Sequence, residues 1–475
     1  MQAPSLPLRV TLAVLLAWPA HAQLEHFQQG AAEVGGVSTP YLLLEPEQVV
    51  EGERYPLVIF LHGAGERGDD NELQLVHFPE RMAGEYRASH PCYLLAPQCP
   101  EDERWALHGL GNVEPFPLDR EPLSPMQGAI AALQEVLRTQ PVDPDRVYLT
   151  GLSMGGYGSW ELAARHPDWF AAAMPICGGG AANTAASLVG LPLSVWHGAE
   201  DGIVRPANSR SMVEAVRALG GSVEYSELEG VGHDSWHRAY DADGGLDWLF
   251  AQRRNPDAQL AAAARLFAES VRSDEKVAFL GDSITQGGNN AGGYVDLLRT
   301  ALHEVQPEAT VIPAGISGHK VPDLLARYER DVVAHGATLV FIYIGINDVW
   351  HSRSGRGTPA EEYEAGLHTL IGALKESGAA VVLATPSVIG EKRAGENGLD
   401  AMLADYAAIS RRVADAEGVV LCDLRQAFLD QLLVLNRDNA ERGLLTRDRV
   451  HLNAAGNAFV ATQAARALRT AALAR

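Results

Sequence analysis

Short, nearly unbroken apolar runs recur along the chain, separated by stretches in which apolar residues return every three or four positions. Between Tyr55 and about Phe250 the runs cover residues 56–61, 92–96, 146–150, 171–176 and 193–197, with helical periodicity over 126–139 and 157–166. Runs that do not alternate polar with apolar belong to strands covered on both faces, and intervening helices imply a parallel sheet. A polar, Ala-rich stretch with Asn255-Pro256-Asp257 follows, and the alternation then restarts with runs at 277–280, 310–313, 338–344, 379–384 and 419–422. This second series has its own strands and helices, which favours two units over one very large sheet. The predicted fold class is α/β, as two doubly wound three-layer α/β/α domains. The first spans 23–252, a linker 253–275, and the second 276–475. Residues 23–54 are expected to add an edge hairpin or strand pair to the first unit.

Composition narrows the partners. The 475 residues carry 38 basic against 60 acidic side chains, a formal charge of −22, and 47% are hydrophobic, enough to give both units a core. Such a surface repels phosphate backbones and anionic headgroups, and no basic run is visible that would reverse this, so neither nucleic acid nor membrane is an expected partner. At the start, Arg9, an apolar run over 10–17 and Ala20-His21-Ala22 have the form of a signal peptide of residues 1–22. The run falls short of the about 20 residues that span a bilayer, so the mature chain is expected to be secreted or periplasmic. Cys92 and Cys99 flank an apolar run and, if that run is a strand, lie too far apart to bridge. Cys177 and Cys422 also sit in apolar contexts, and all four are read as buried thiols. No metal-ligand spacing is present, and no cofactor is expected.

Chemistry is suggested first by Gly151-Leu152-Ser153-Met154-Gly155-Gly156, a serine between a predicted strand and a predicted helix. Small residues at −2 and +2 allow a sharp turn that projects the hydroxyl at a helix N-terminus. An acid and a base follow in the order this architecture needs: Asp201 at the end of 195–201, and His233 in Gly230-Val231-Gly232-His233. The imidazole takes the serine's proton and the carboxylate fixes the imidazole. Glu200 competes for the acid role and His237 for the base. The oxyanion needs two N–H donors; Met154 is one candidate and Ala64 the other, with Gly63 or Gly65 as alternatives, while His62 is read as structural. Together with Ala96-Pro97-Gln98-Cys99-Pro100 and Pro175-Ile176-Cys177-Gly178, these motifs resemble secreted esterases of the α/β-hydrolase superfamily related to polyhydroxybutyrate depolymerases and feruloyl esterases. The resemblance covers about residues 30–252 and implies the α/β-hydrolase fold and a serine esterase.

A second serine, Ser283, ends the apolar run of Val277-Ala278-Phe279-Leu280-Gly281-Asp282, without the glycine elbow. Gly315, Asn347 and the pair Asp448/His451 follow, each placed after a predicted strand or near the C-terminus, where residues of parallel sheets converge. These blocks resemble the SGNH (GDSL) hydrolases over about 275–470, which implies a flavodoxin-like fold. By that resemblance Ser283 is nucleophile, His451 base, Asp448 its orienter, and Gly315 and Asn347 oxyanion donors with Ser283. Pro313 departs from the Asn common in relatives, which puts the bracing of the Gly315 loop in question. His319, His335 and His368 have no such setting. Trp350 is read as packing or as a sugar platform; Trp105 and Trp236 are open in the same way.

The reading is a bifunctional serine carboxylic-ester hydrolase acting on acylated carbohydrate or small esters, with acetyl and feruloyl groups on plant polysaccharides such as xylan preferred. The alternatives are a short-chain carboxylesterase or lipase, a peptidase in the first unit, or one unit serving as a non-catalytic carbohydrate-binding module.

Overall fold

The computed structural model describes residues 24–107 and 120–475; the expected signal peptide lies outside them. Among the described residues the first unit holds an eight-stranded sheet in the order β1-β2-β4-β3-β5-β6-β7-β8. Its strands are β1 Phe27–Val34, β2 Val37–Leu44, β3 Tyr55–Leu61, β4 Tyr93–Pro97, β5 Val142–Leu152, β6 Ala172–Ile176, β7 Leu193–Gly198 and β8 Val223–Leu228. β1 and β2 form the antiparallel edge hairpin expected from residues 23–54, and β3 to β8 pair in parallel. The second unit has five parallel strands, β9 Lys276–Gly281, β10 Thr310–Gly315, β11 Leu339–Tyr343, β12 Ala380–Ala384 and β13 Val420–Cys422, in the order β10-β9-β11-β12-β13.

The central strands β4, β6 and β11 are buried at every position, which is why their sequences run apolar without alternation. Pro313 stands at an exposed position of the edge strand β10, the setting in which sheets tolerate proline. All four cysteines are buried, unpaired thiols. No described helix is long and apolar enough to cross a membrane.

The stretch read as a linker is largely a helix, Pro256–Ser270. Pro256 stands in its first turn and the Asn255 side chain accepts the Ala258 N–H at its start. Its Ala264, Phe267 and Ala268 join the core of the second unit with Ala464 and Leu468 of the last helix, Ala454–Leu473. The units also touch directly. Asp168 of the first accepts from Gln463 at 2.8 Å and from Arg466 at 2.7 and 3.0 Å, and Gln259 donates to the Pro167 carbonyl at 2.9 Å. Val434 of the second unit is packed into a core of the first.

Candidate active sites

The first serine stands where β5 turns into the helix Met154–Arg165. Ser153 has φ 54°, a left-handed conformation that side chains avoid. Close packing imposes it: a Cβ on Gly155 would lie 1.8 Å from the Leu61 carbonyl oxygen, and one on Gly151 would lie 2.5 Å from that of Gly155. Glycine alone lets the ends of β3 and β5 meet the helix start, and the turn leaves the Ser153 hydroxyl facing His233. Nε2 of His233 is 2.9 Å from Ser153 Oγ, and Nδ1 is 2.6 Å from Asp201 Oδ2. Asp201 follows β7 with its side chain fully buried. Its Oδ1 accepts the N–H groups of Ile203 at 2.8 Å and Val204 at 2.9 Å, so every face of the carboxylate is occupied. Of the competitors, Glu200 is exposed, and the His237 ring packs among His77 and Trp236.

The 61–65 loop flanks this serine. A Cβ on Gly63 would be 3.7 Å from the Ser153 Cβ, and the Ala64 carbonyl is held by Arg67 Nε at 2.9 Å. Met154 opens the helix immediately after Ser153. His62 is a strut: Nε2 accepts the Cys99 N–H at 2.9 Å, which leaves Nδ1 to donate to the Gly63 carbonyl at 2.6 Å. Burial pushes its pKa down to about 4, so the ring is neutral. Trp105, also buried, donates to the His62 carbonyl at 3.0 Å and is part of the core. Cys177 places its sulfur within 4.8 Å of donor atoms of Asp201 and His233, a grouping that could hold a metal. Those two residues already bond each other and burial pushes the thiol well up, so the donor set does not fit an ion.

At the second serine the backbone is unstrained. Ser283 opens the helix Ser283–Gly288, capped by Asp282, whose side chain accepts the Ile284 N–H at 2.9 Å. Ser283 Oγ is 3.0 Å from His451 Nε2, and His451 Nδ1 is 2.7 Å from Asp448 Oδ2. Asp448 Oδ1 accepts the N–H of Val450 at 3.1 Å and of His451 at 2.8 Å. This carboxylate is 45% exposed. Burial raises its pKa, but the hydrogen bonds from His451 and Val450 outweigh that and hold it below the ordinary value. Gly315 presses on the same helix, since a Cβ there would lie 2.2 Å from the Gln286 nitrogen. Asn347 is buried and donates Nδ2 to Asp282 Oδ2 at 3.3 Å and to the His319 carbonyl at 3.1 Å. A cavity of about 430 Å³ lined by Ser283, Ile284, Asn290, Arg447 and His451 opens beside the serine.

Two residues that carry this geometry, Arg327 and Glu391, had no signal in the sequence pattern, and a third, Asp282, stood in the Ser283 block without an assigned role. Arg327, buried, donates to the carbonyls of Ala314 at 2.9 Å and Gly281 at 2.8 Å, clamping together the strand ends that precede Gly315 and Ser283. It braces the Gly315 loop despite Pro313. Glu391, buried, accepts from the N–H groups of Leu444 and Leu445 at 2.8 Å and from Thr446, and so fixes the loop leading to Asp448. Asp282 has its carboxyl pushed up to about 7 by burial, with nearby Asp348 adding to the effect. His368 pairs with Glu417, the His319 ring accepts from Arg327, and the His335 carbonyl accepts from Lys276; none of the three rings meets a serine.

A serine hydroxyl bonded to an imidazole that is itself held by a carboxylate is the working part of a serine hydrolase. A model of the GDSL-like lipase/acylhydrolase family matches residues 279–459, and one of the dienelactone hydrolase family matches residues 119–264. An acetylxylan esterase of Geobacillus stearothermophilus is 32% identical over 209 residues, which cover 40% of this chain and 92% of the relative. Poly(3-hydroxyalkanoate) depolymerase C of Paucimonas lemoignei is 35% identical over 103 residues, 15% of this chain and 25% of that protein. The crystal structure of an acetyl xylan esterase, AlAXEase, shares 43% identity, covers 40% of this chain and 97% of its own, and superposes with a TM-score of 0.39. The protein is a serine hydrolase of carboxylic esters. It belongs to the GDSL-like lipase/acylhydrolase family through its second unit, and its first is an α/β-hydrolase domain of the dienelactone hydrolase type.

Proposed function

We propose that both units are catalytic and that the protein is an exported, bifunctional deacylase of plant polysaccharides. In the first, Ser153 attacks the ester carbonyl, His233 takes its proton, and Asp201 steadies the imidazolium. The N–H groups of Met154 and Ala64 receive the oxyanion. In the second, Ser283, His451 and Asp448 take the same roles, with Ser283, Gly315 and Asn347 as oxyanion donors. Each site passes through an acyl-serine: the alcohol leaves with the proton from histidine, and histidine-activated water then releases the acid. The single observation that carries this reading is that two serines each sit within 3.0 Å of an imidazole held by a carboxylate. The acetylxylan esterase relative supports acetyl as one of the acyl groups removed, and we assign it to the second site. The first is assigned the other acyl group of such polymers, a feruloyl ester. Purified protein incubated with acetylated, feruloylated xylan is expected to release both acetate and ferulate. Release of neither, with good hydrolysis of simple aryl esters, leaves a general short-chain carboxylesterase.

A further inference from the structure

Cations, most of them without a carboxylate partner among the described residues, gather at one place in this acidic chain. Trp350 lies three residues beyond Asn347 in the helix Ile346–Trp350, so the two side chains share a helical face. Its ring is covered by guanidinium groups, Arg353 at 5.4 Å and Arg449 at 5.8 Å from the centroid. The indole is thus a pedestal for cations rather than a free platform for a sugar. Arg449 sits between Asp448 and His451 at φ 85°, and its side chain reaches Glu441 at 3.0 Å. Arg353 and Arg356 are exposed; Arg353 rests on the indole, Arg356 donates to Ser354 Oγ at 3.2 Å, and neither pairs with a carboxylate among the described residues.

The charge continues away from the serine. The Arg449 carbonyl accepts the Gly390 N–H at 2.8 Å, which ties the rim to the segment carrying Lys392 and Arg393. These two and Arg437, with Glu391, Glu396 and Asp430 among them, line a groove of about 450 Å³ that reaches the helix Ser124–Thr139 of the first unit, where Lys392, Arg393 and Arg437 have no carboxylate partner among the described residues. No basic run appears in the sequence because the cations come from four separate segments.

We propose that the second site acts on esters of an acidic polysaccharide, one whose sugars bear carboxylates, and that the track from Arg353, Arg356 and Arg449 to Lys392, Arg393 and Arg437 holds the polymer. The proposal rests on the reading of Ser283 as a nucleophile. Planar guanidinium groups fixed on an indole match carboxylates in bidentate fashion, and a line of cations, all but Arg449 free of an ion pair among the described residues, suits a chain with repeated charge. A single-stranded nucleic acid would need open aromatic faces for its bases, and the ring in this track is already covered.

The test uses the full chain carrying Ser153→Ala, with three substrates: acetylated glucuronoxylan, the same polymer after reduction of its carboxylates to alcohols, and para-nitrophenyl acetate. The expected KM for the charged polymer is about five- to tenfold below that for the reduced one, and about 0.5 M salt erases the difference. Adding Arg353→Glu, Lys392→Glu and Arg393→Glu raises the charged-polymer KM about tenfold while kcat on para-nitrophenyl acetate stays within about twofold, which also reports folding. Equal KM for the two polymers, or a charged-polymer KM that the three substitutions leave unchanged, overturns the track while aryl activity keeps the second site standing. Binding of single-stranded DNA that the substitutions abolish, with no preference between polymers, overturns it in favour of nucleic acid. Loss of para-nitrophenyl acetate hydrolysis by Ser153→Ala alone removes the second site and the track with it.

Discussion

The two sites solve one geometric problem with opposite local means. In both, one carboxylate oxygen accepts the N–H groups two and three residues further on, and the other meets histidine Nδ1. In the second, the residue three positions on is the histidine itself, so carboxylate and imidazole arrive in a single turn that stays partly open to water. In the first, the histidine comes from a loop 32 residues later, and the acid is sealed inside. The two serines differ as well. Ser153 is strained and held by contacts between backbones at Gly151 and Gly155, whereas Ser283 is a relaxed helix start whose surroundings are clamped by Arg327. A buried, distributed triad depends on every neighbour; a local, exposed one depends on the loops that present it.

That contrast can be broken by removing each acid, with the other site's serine changed to Ala so that one site is read at a time. Asp201→Ala leaves the buried Val204 N–H without its acceptor and removes the carboxylate that would steady the imidazolium in a position sealed from water, and kcat/KM is expected to fall about 10⁴-fold. Asp448→Ala is expected to cost about 10²-fold, because water reaches the vacated position. Equal losses would show that exposure does not separate the sites.

A smaller effect sharpens the picture of the second unit. Burial pushes the Asp348 carboxyl up to about 6, against about 3.9 in an unfolded chain. Between those values the folded chain binds the proton more tightly, so this group's stabilisation is present at low pH and is lost as pH climbs through about 6. Asp348→Asn keeps an acceptor for the Val321 N–H and removes the charge. It is expected to stabilise the protein by roughly 1–2 kcal/mol at about pH 8 and by much less at about pH 4.5, read from thermal unfolding midpoints. A gain of equal size at both values would contradict the assignment.

What was legible in the sequence follows from burial. Strands covered on both faces announce themselves as apolar runs, and the five expected in each unit are present within a few residues at most ends. β8, Val223-Glu-Tyr-Ser-Glu-Leu228, carries no such run because it is an edge strand with one fully buried residue. The helix Pro256–Ser270 read as a linker because its buried face is largely alanine, which packs closely on the last helix but gives a faint periodicity. Serines, histidines and acids were visible through glycine context and spacing. Arg327 and Glu391 were not, since an arginine or glutamate in a polar stretch looks solvated until the fold shows the carbonyls and N–H groups it meets. The cationic track was hidden for a related reason, being assembled from segments far apart in the chain.

The central claim is that two independent serine sites share one chain. Ser153→Ala, Ser283→Ala and the double variant, assayed on a panel of aryl esters of graded acyl size, test it most directly. Each single variant is predicted to keep the ester profile of the surviving site, and the double variant to lose at least about 10³-fold on every ester. If either single variant abolishes activity on all esters tested, the two-site account is contradicted.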